Sequence, residues 1–138
     1  MTDRERRELL QAAEDARACA YAPYSGITVG AALLTEEGEV YRGANVENAA
    51  YSPSVCAERV AILKAVTEGG RKFRAIAISG GRCGAPHTPS FAPCGVCRQV
   101  MQEFFDSDTE ILLFSAEGES SVSTLGDMLP LGFDKKLL

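Results

Sequence analysis

The stretch Pro93-Cys94-Gly95-Val96-Cys97-Arg98 constrains this chain more than any other. It sets two thiols three residues apart, and Cys56-Ala57-Glu58 offers a third thiol with a carboxylate two residues later. A Cys-x-x-Cys pair alone has several readings: a redox couple, half of a zinc knuckle, or chance. The redox reading leaves Cys56 and Glu58 without a task. Cys56 by itself also reads as a small buried apolar residue, a common fate of free cysteine. Helix spacing favours zinc. Cys94 and Cys97 lie at an expected helix start and share a face. Cys56 lies at another. Helix N-termini carry partial positive charge and free amide donors, and both stabilise thiolates. Three thiolates on one Zn²⁺ leave about one net negative charge, so that help counts. Arg59 and Arg98 follow the cysteines closely and are candidate donors to the sulfurs. The alternative for each is an ordinary surface salt bridge.

Spacing also locates the metal. Residues i and i+2 of a helix do not share a side face. Cys56 and Glu58 therefore converge only beyond the N-terminal end, toward which side chains tilt. The expectation is two helices aiming their N-termini at one zinc, with Glu58 beside it as a non-ligand. Three protein ligands leave the fourth tetrahedral position open, as in catalytic sites. Water there ionises near neutral pH, and a neighbouring carboxylate can relay its proton.

The remaining chain reads as alternating elements. Thr2-Asp3-Arg4-Glu5 has the form of a capping box, opening a helix over about 3–20. Residues 27–35 read as a strand, and 39–46 as its hairpin partner. Asn45 and Glu47 fall at the end of that second strand, two apart and so on the same side. Ser54 is a candidate cap for a helix over about 55–68, which is apolar nearly all round and so expected in the middle of the molecule. A short buried strand covers 73–79, and residues 80–93 read as a loop. A helix follows from Cys94 to about Phe105, then a strand over 110–115 and a small edge strand over 120–123. Thr124-Leu125-Gly126-Asp127 begins a short last helix. This order implies an α/β fold whose mixed sheet is covered by helices.

With 138 residues the chain suits a single domain, 1–138, with one core. Its net charge of −5 gives no electrostatic reason to expect nucleic acid or an anionic membrane as partner. No apolar run has the length of a membrane span, and Thr2 to Ala20 is too charged for a secretory signal. An odd cysteine count of five argues against a disulfide framework and for a cytoplasmic location. Cys19 and Cys83 fit no ligand spacing and read as ordinary thiols. His87, the only histidine, reads as non-catalytic.

Beyond the zinc motif, Tyr21-Ala22-Pro23-Tyr24-Ser25, Val29-Gly30-Ala31-Ala32-Leu33, Asn45-Val46-Glu47-Asn48-Ala49 and the Leu129 to Phe133 tail stand along the chain. Together with Cys56-Ala57-Glu58-Arg59 and Pro93 to Gln99 they resemble the small homotetrameric zinc-dependent cytidine deaminases over nearly the whole length. The zinc motif itself resembles the zinc deaminase signature with cysteine in place of histidine. The resemblance implies a three-layer α-β-α fold with a mixed sheet of about five strands. It implies hydrolytic deamination of cytidine and deoxycytidine to uridine and deoxyuridine, in pyrimidine salvage, with one zinc per subunit held by Cys56, Cys94 and Cys97. It makes Glu58 the proton carrier and gives Asn45 and Glu47 the ribose hydroxyls. It also implies that the backbone at Ala57 contacts the base and that Tyr51 and Phe133 reach a neighbouring subunit's site in a homotetramer. Taken alone, Asn45 and Glu47 read as a turn-stabilising amide and a solvated acid, and Phe133 as a tail anchor. One departure stands out. Ile27 occupies the position where the family usually has the phenylalanine that packs on the pyrimidine, so it supplies an apolar wall without a ring.

Three other readings compete. A deaminase of a cytosine nucleoside antibiotic such as blasticidin S shares the zinc motif, but the Asn45-x-Glu47 pair speaks for an ordinary ribose. A zinc-stabilised binding module requires a closed fourth ligand position. A thiol-redox protein requires reversible oxidation of Cys94 with Cys97 and no stoichiometric zinc.

Overall fold

The computed structural model describes residues 1–138. Its first helix, α1 (Asp3–Ala16), starts at the expected capping box: Thr2 accepts from the Glu5 amide, and the Glu5 carboxylate accepts from the Thr2 amide. The α-helix stops at Ala16, short of the expected residue 20, and Arg17–Cys19 forms a single 3₁₀ turn. The Arg17 side chain accounts for the stop. It is buried and donates to the carbonyls of Thr28 and Arg82 at 3.1 and 3.0 Å, which ties the helix end to the sheet.

Five strands follow: β1 (Ile27–Thr35), β2 (Val40–Ala44), β3 (Phe73–Arg82), β4 (Glu110–Phe114) and β5 (Ser120–Thr124). They lie in the order β2-β1-β3-β4-β5. Only β3 and β4 run parallel; the other pairs are antiparallel. β3 is longer than the expected 73–79. Gly80 and Gly81, which read as loop, pair with Val29 and Thr28 of β1. The remaining helices are α2 (Ala57–Thr67), α3 (Gly95–Phe104) and α4 (Leu125–Met128). Thr124 caps α4 in the expected capping box with Asp127.

Strand alternation sorts the core into two faces. Ala31, Leu33, Ile76, Ile78, Ile111 and Leu113 lie in one cluster with Ala61, Ile62 and Met101 of α2 and α3. Ala32, Ala75, Ala77 and Leu112 form a second cluster with Leu9, Leu10 and Ala13 of α1. The result is three layers, α1 on one side of the sheet and α2 with α3 on the other. Leu10 is fully buried, and its truncation to alanine is worth about 2–5 kcal/mol of stability by the usual cost of such cavities.

Two glycines set how closely the layers approach. A Cβ on Gly30 would lie 2.0 Å from the Ala13 carbonyl oxygen, and one on Gly43 would lie 2.6 Å from that of Ala57. α1 thus rests on β1, and the start of α2 on β2, backbone against strand. α2 is not enclosed in the middle of the molecule, as its composition suggested. Ala57, Ala61, Ile62 and Ala65 are buried, whereas Leu63 on its outer face is 47% exposed.

Candidate active site

α2 follows β2 and α3 follows β3, and both helices begin at the same end of the sheet. Cys56 is the N-cap of α2, which displaces the expected cap Ser54. The Ser54 hydroxyl instead accepts from the Asn48 amide in the preceding turn. Cys94 is the N-cap of α3, and its sulfur accepts from the Cys97 amide at 3.4 Å. Cys97, one turn into α3, is fully buried. The Sγ atoms of Cys56 and Cys94 are 3.7 Å apart and those of Cys94 and Cys97 3.3 Å, with all three within 4.8 Å of one another. Tetrahedral ligands at the usual zinc–sulfur length of about 2.3 Å lie about 3.8 Å apart. The donor set therefore fits zinc in chemistry and in spacing.

The Cys97 hydrogen bond and then the Arg59 guanidinium pull the Cys56 thiol down to about 5. The Cys97 thiol is raised by that same bond to Cys56 and by burial. Arg59 places Nη2 3.6 Å from the Cys56 sulfur. Its Nε is buried without a hydrogen-bond partner. Arg98 does not take the expected place beside a sulfur. From the first turn of α3 its side chain reaches back and donates to the carbonyls of Pro93 and Met128, at 2.8 and 2.6 Å. It fastens the C-terminal segment to the loop before Cys94.

Glu58 is only 3% exposed, and burial pushes its carboxyl up to about 6. It borders an open pocket of about 330 Å³, at the lower end of the range of small-molecule sites. Cys56, Cys94, Asn45 and Glu47 border the same pocket, so five sequence-derived candidates converge there. Asn45 is already committed in part. Its Oδ1 accepts from the Val29 amide at 2.8 Å and its Nδ2 donates to the Ile27 carbonyl at 2.9 Å. Glu47 accepts from the Tyr24 and Ser25 amides and from the Ser25 hydroxyl, which lowers its pKa.

Other candidates stand elsewhere. Ala57 is wholly buried in the first turn of α2. Ile27 packs on the main core and lies outside the pocket lining. Tyr51, at φ 59, is 72% exposed with its ring edge-on to Tyr24, and Phe133 is 56% exposed. His87 stacks on Phe114, ring centres 4.0 Å apart, and does not line the pocket. Val29, Ser54, Val55, Phe91 and Ala92 also line the pocket, and none is a site candidate from the sequence. Phe91 carried a signal, as an aromatic residue inside an otherwise small and polar loop three positions before Cys94.

Residues 3–112 match the family model described as the cytidine and deoxycytidylate deaminase zinc-binding region. The chain belongs to this family. Among its relatives is a cytidine deaminase of Sporosarcina psychrophila, 42% identical over 94% of this chain and 91% of the relative. Another, from Halalkalibacterium halodurans, is 44% identical over 94% of each chain. The crystal structure of cytidine deaminase from Burkholderia pseudomallei superposes with a TM-score of 0.84 at 44% identity, covering 96% of this chain and all of that one. These relatives place the three sulfurs in a zinc-binding deaminase domain and give no support to the antibiotic alternative. No helix is long and apolar enough to cross a membrane.

Proposed function

We propose that residues 1–138 act as one zinc-dependent deaminase domain that converts cytidine and deoxycytidine to uridine and deoxyuridine with release of ammonia. The observation that carries this reading is the single pocket shared by Cys56 and Cys94 of the sulfur cluster, buried Glu58, and the Asn45–Glu47 pair. Cys56, Cys94 and Cys97 would hold the zinc, which would supply Lewis-acid activation of water near neutral pH. Glu58 is the proton carrier. It accepts a proton from the attacking water and passes it to N3 of the pyrimidine, then takes the remaining hydroxyl proton of the C4 adduct and delivers it to the amine, which leaves as ammonia while the C4 carbonyl forms. A carboxyl group near neutrality suits both directions of transfer, and burial of Glu58 provides it. Glu47 lines the pocket too, and with the free N–H of Asn45 it offers polar partners for ribose hydroxyls.

The working form in this reading is a cytoplasmic homotetramer in pyrimidine salvage. Tyr51 and Phe133, large and exposed, are the residues that complete a neighbour's site, and Leu63 lies on a face that a neighbour covers. Zinc-loaded protein is to be incubated with cytidine, deoxycytidine, cytosine and blasticidin S, following the ultraviolet change and ammonia. Turnover of the two ordinary nucleosides is expected. Turnover of blasticidin S alone, or of none, overturns the proposal.

A further inference from the structure

The pocket has one aromatic wall, and residue 27 does not provide it. Phe91 is the only ring among the lining residues. Its place is built by the sheet beneath it. A Cβ on Gly80 would lie 2.6 Å from both Cδ1 and Cε1 of Phe91, so the ring rests directly on the β3 backbone where a side chain is missing. Gly80 pairs with Val29 of β1. Residues directly opposite in a ladder share a face, so the ring lies beside Val29, another lining residue. Ile27 is two residues before Val29 on that face, but it pairs with Arg82 and packs into the core outside the pocket.

The segment carrying Phe91 is fixed on both sides. The Ser90 amide donates to the Phe114 carbonyl at 2.8 Å, and the Thr88 amide to Gly80 at 2.7 Å. Downstream, Arg98 holds the Pro93 carbonyl and Cys94 enters the sulfur cluster. A ring three residues before a zinc ligand is thus a rigid part of the site. A base whose amine-bearing carbon faces Glu58 and the sulfurs, and whose sugar extends toward Glu47, lies along this wall.

We infer that Phe91 is the aromatic wall on which the pyrimidine packs, the task expected at position 27. The inference rests on the proposed deaminase function. It explains how the chain tolerates Ile27: the ring reaches the pocket from the loop before α3 instead of from β1. Aromatic stacking contributes about 0.5–1.5 kcal/mol beyond area burial, or roughly a 2- to 12-fold effect on binding.

The test compares Phe91→Leu and Ile27→Ala with wild type, all zinc-loaded, in cytidine turnover and in inhibition by the product uridine. Phe91→Leu is expected to raise KM for cytidine and Ki for uridine by about 3- to 10-fold, at full zinc content, with the effect in KM and Ki more than in kcat. Ile27→Ala is expected to move both by less. Unchanged KM and Ki in Phe91→Leu, or a larger effect at Ile27, overturns the assignment. Should Phe91→Leu fail to fold, wild type decides: intermolecular NOEs from the Phe91 ring to uridine H5 and H6 support the assignment, and their absence overturns it. Zinc-loaded wild type inactive on cytidine would defeat the function itself and the assignment with it. Active wild type with an indifferent Phe91→Leu defeats the assignment alone.

Discussion

Cys56 and Cys94 cap two different helices, and their sulfurs lie 3.7 Å apart. Neither residue is inside its helix. Each sits one position ahead of the first helical residue, where a side chain can reach past the helix end. Two N-termini thereby address one point, and Cys97, one turn along α3, completes the set. The fold brings this about through two strand-to-helix connections that leave the same end of the sheet.

The two arginines near this cluster should separate cleanly. Arg59 reaches the Cys56 sulfur, whereas Arg98 holds the carbonyls of Pro93 and Met128. Arg59→Gln should weaken zinc affinity by about 10- to 100-fold in a chelator competition. Arg98→Gln should leave zinc affinity within a few-fold of wild type and instead raise protease sensitivity of the C-terminal segment.

Asn45 is as much a clamp as a contact for substrate. Its amide bridges the Val29 amide and the Ile27 carbonyl at the start of β1. Asn45→Ala leaves the Val29 N–H without this partner, and should cost about 1–3 kcal/mol in urea unfolding as well as activity. Glu47→Gln retains the acceptor oxygen and should raise KM with a smaller loss of stability.

Acid should loosen α1 from β4. Arg6 donates to both carboxylate oxygens of Glu110, at 3.0 and 2.7 Å, and this holds the Glu110 carboxyl below its ordinary value of 4.5. A carboxyl with a depressed folded-state pKa contributes stability that is fully present above its unfolded value. That contribution disappears as pH falls through the folded value. Glu110→Gln should therefore be less stable than wild type by about 1 kcal/mol at pH 7, with the difference shrinking below pH 4.5. Urea midpoints measured across that range check the sign.

Much of this was legible in the sequence because the signals were local. The capping boxes at Thr2 and Thr124 and the strand at 27–35 needed only neighbours in the chain, and the structure has all three. The zinc cluster was legible because three thiols and a helix period leave few arrangements. What failed depended on distant partners. Gly80 and Gly81 read as loop because glycine favours turns, yet their role is to clear space for Phe91 on one face and Arg17 on the other. The outer face of α2 read as buried because Leu63 is apolar, and in a single chain nothing covers it. Arg98 reads on spacing as a candidate sulfur donor or a surface ion-pair partner, but it donates to the carbonyl of Met128, thirty residues on.

The most direct measurement sets Glu58→Gln beside wild type, with zinc content and cytidine turnover determined on the same samples. The variant keeps the shape of the side chain and removes its capacity to carry a proton. The account predicts one zinc per chain in both proteins and a fall in kcat of about 10²- to 10⁴-fold in the variant. A zinc-replete Glu58→Gln protein that turns over cytidine at the wild-type rate would contradict it.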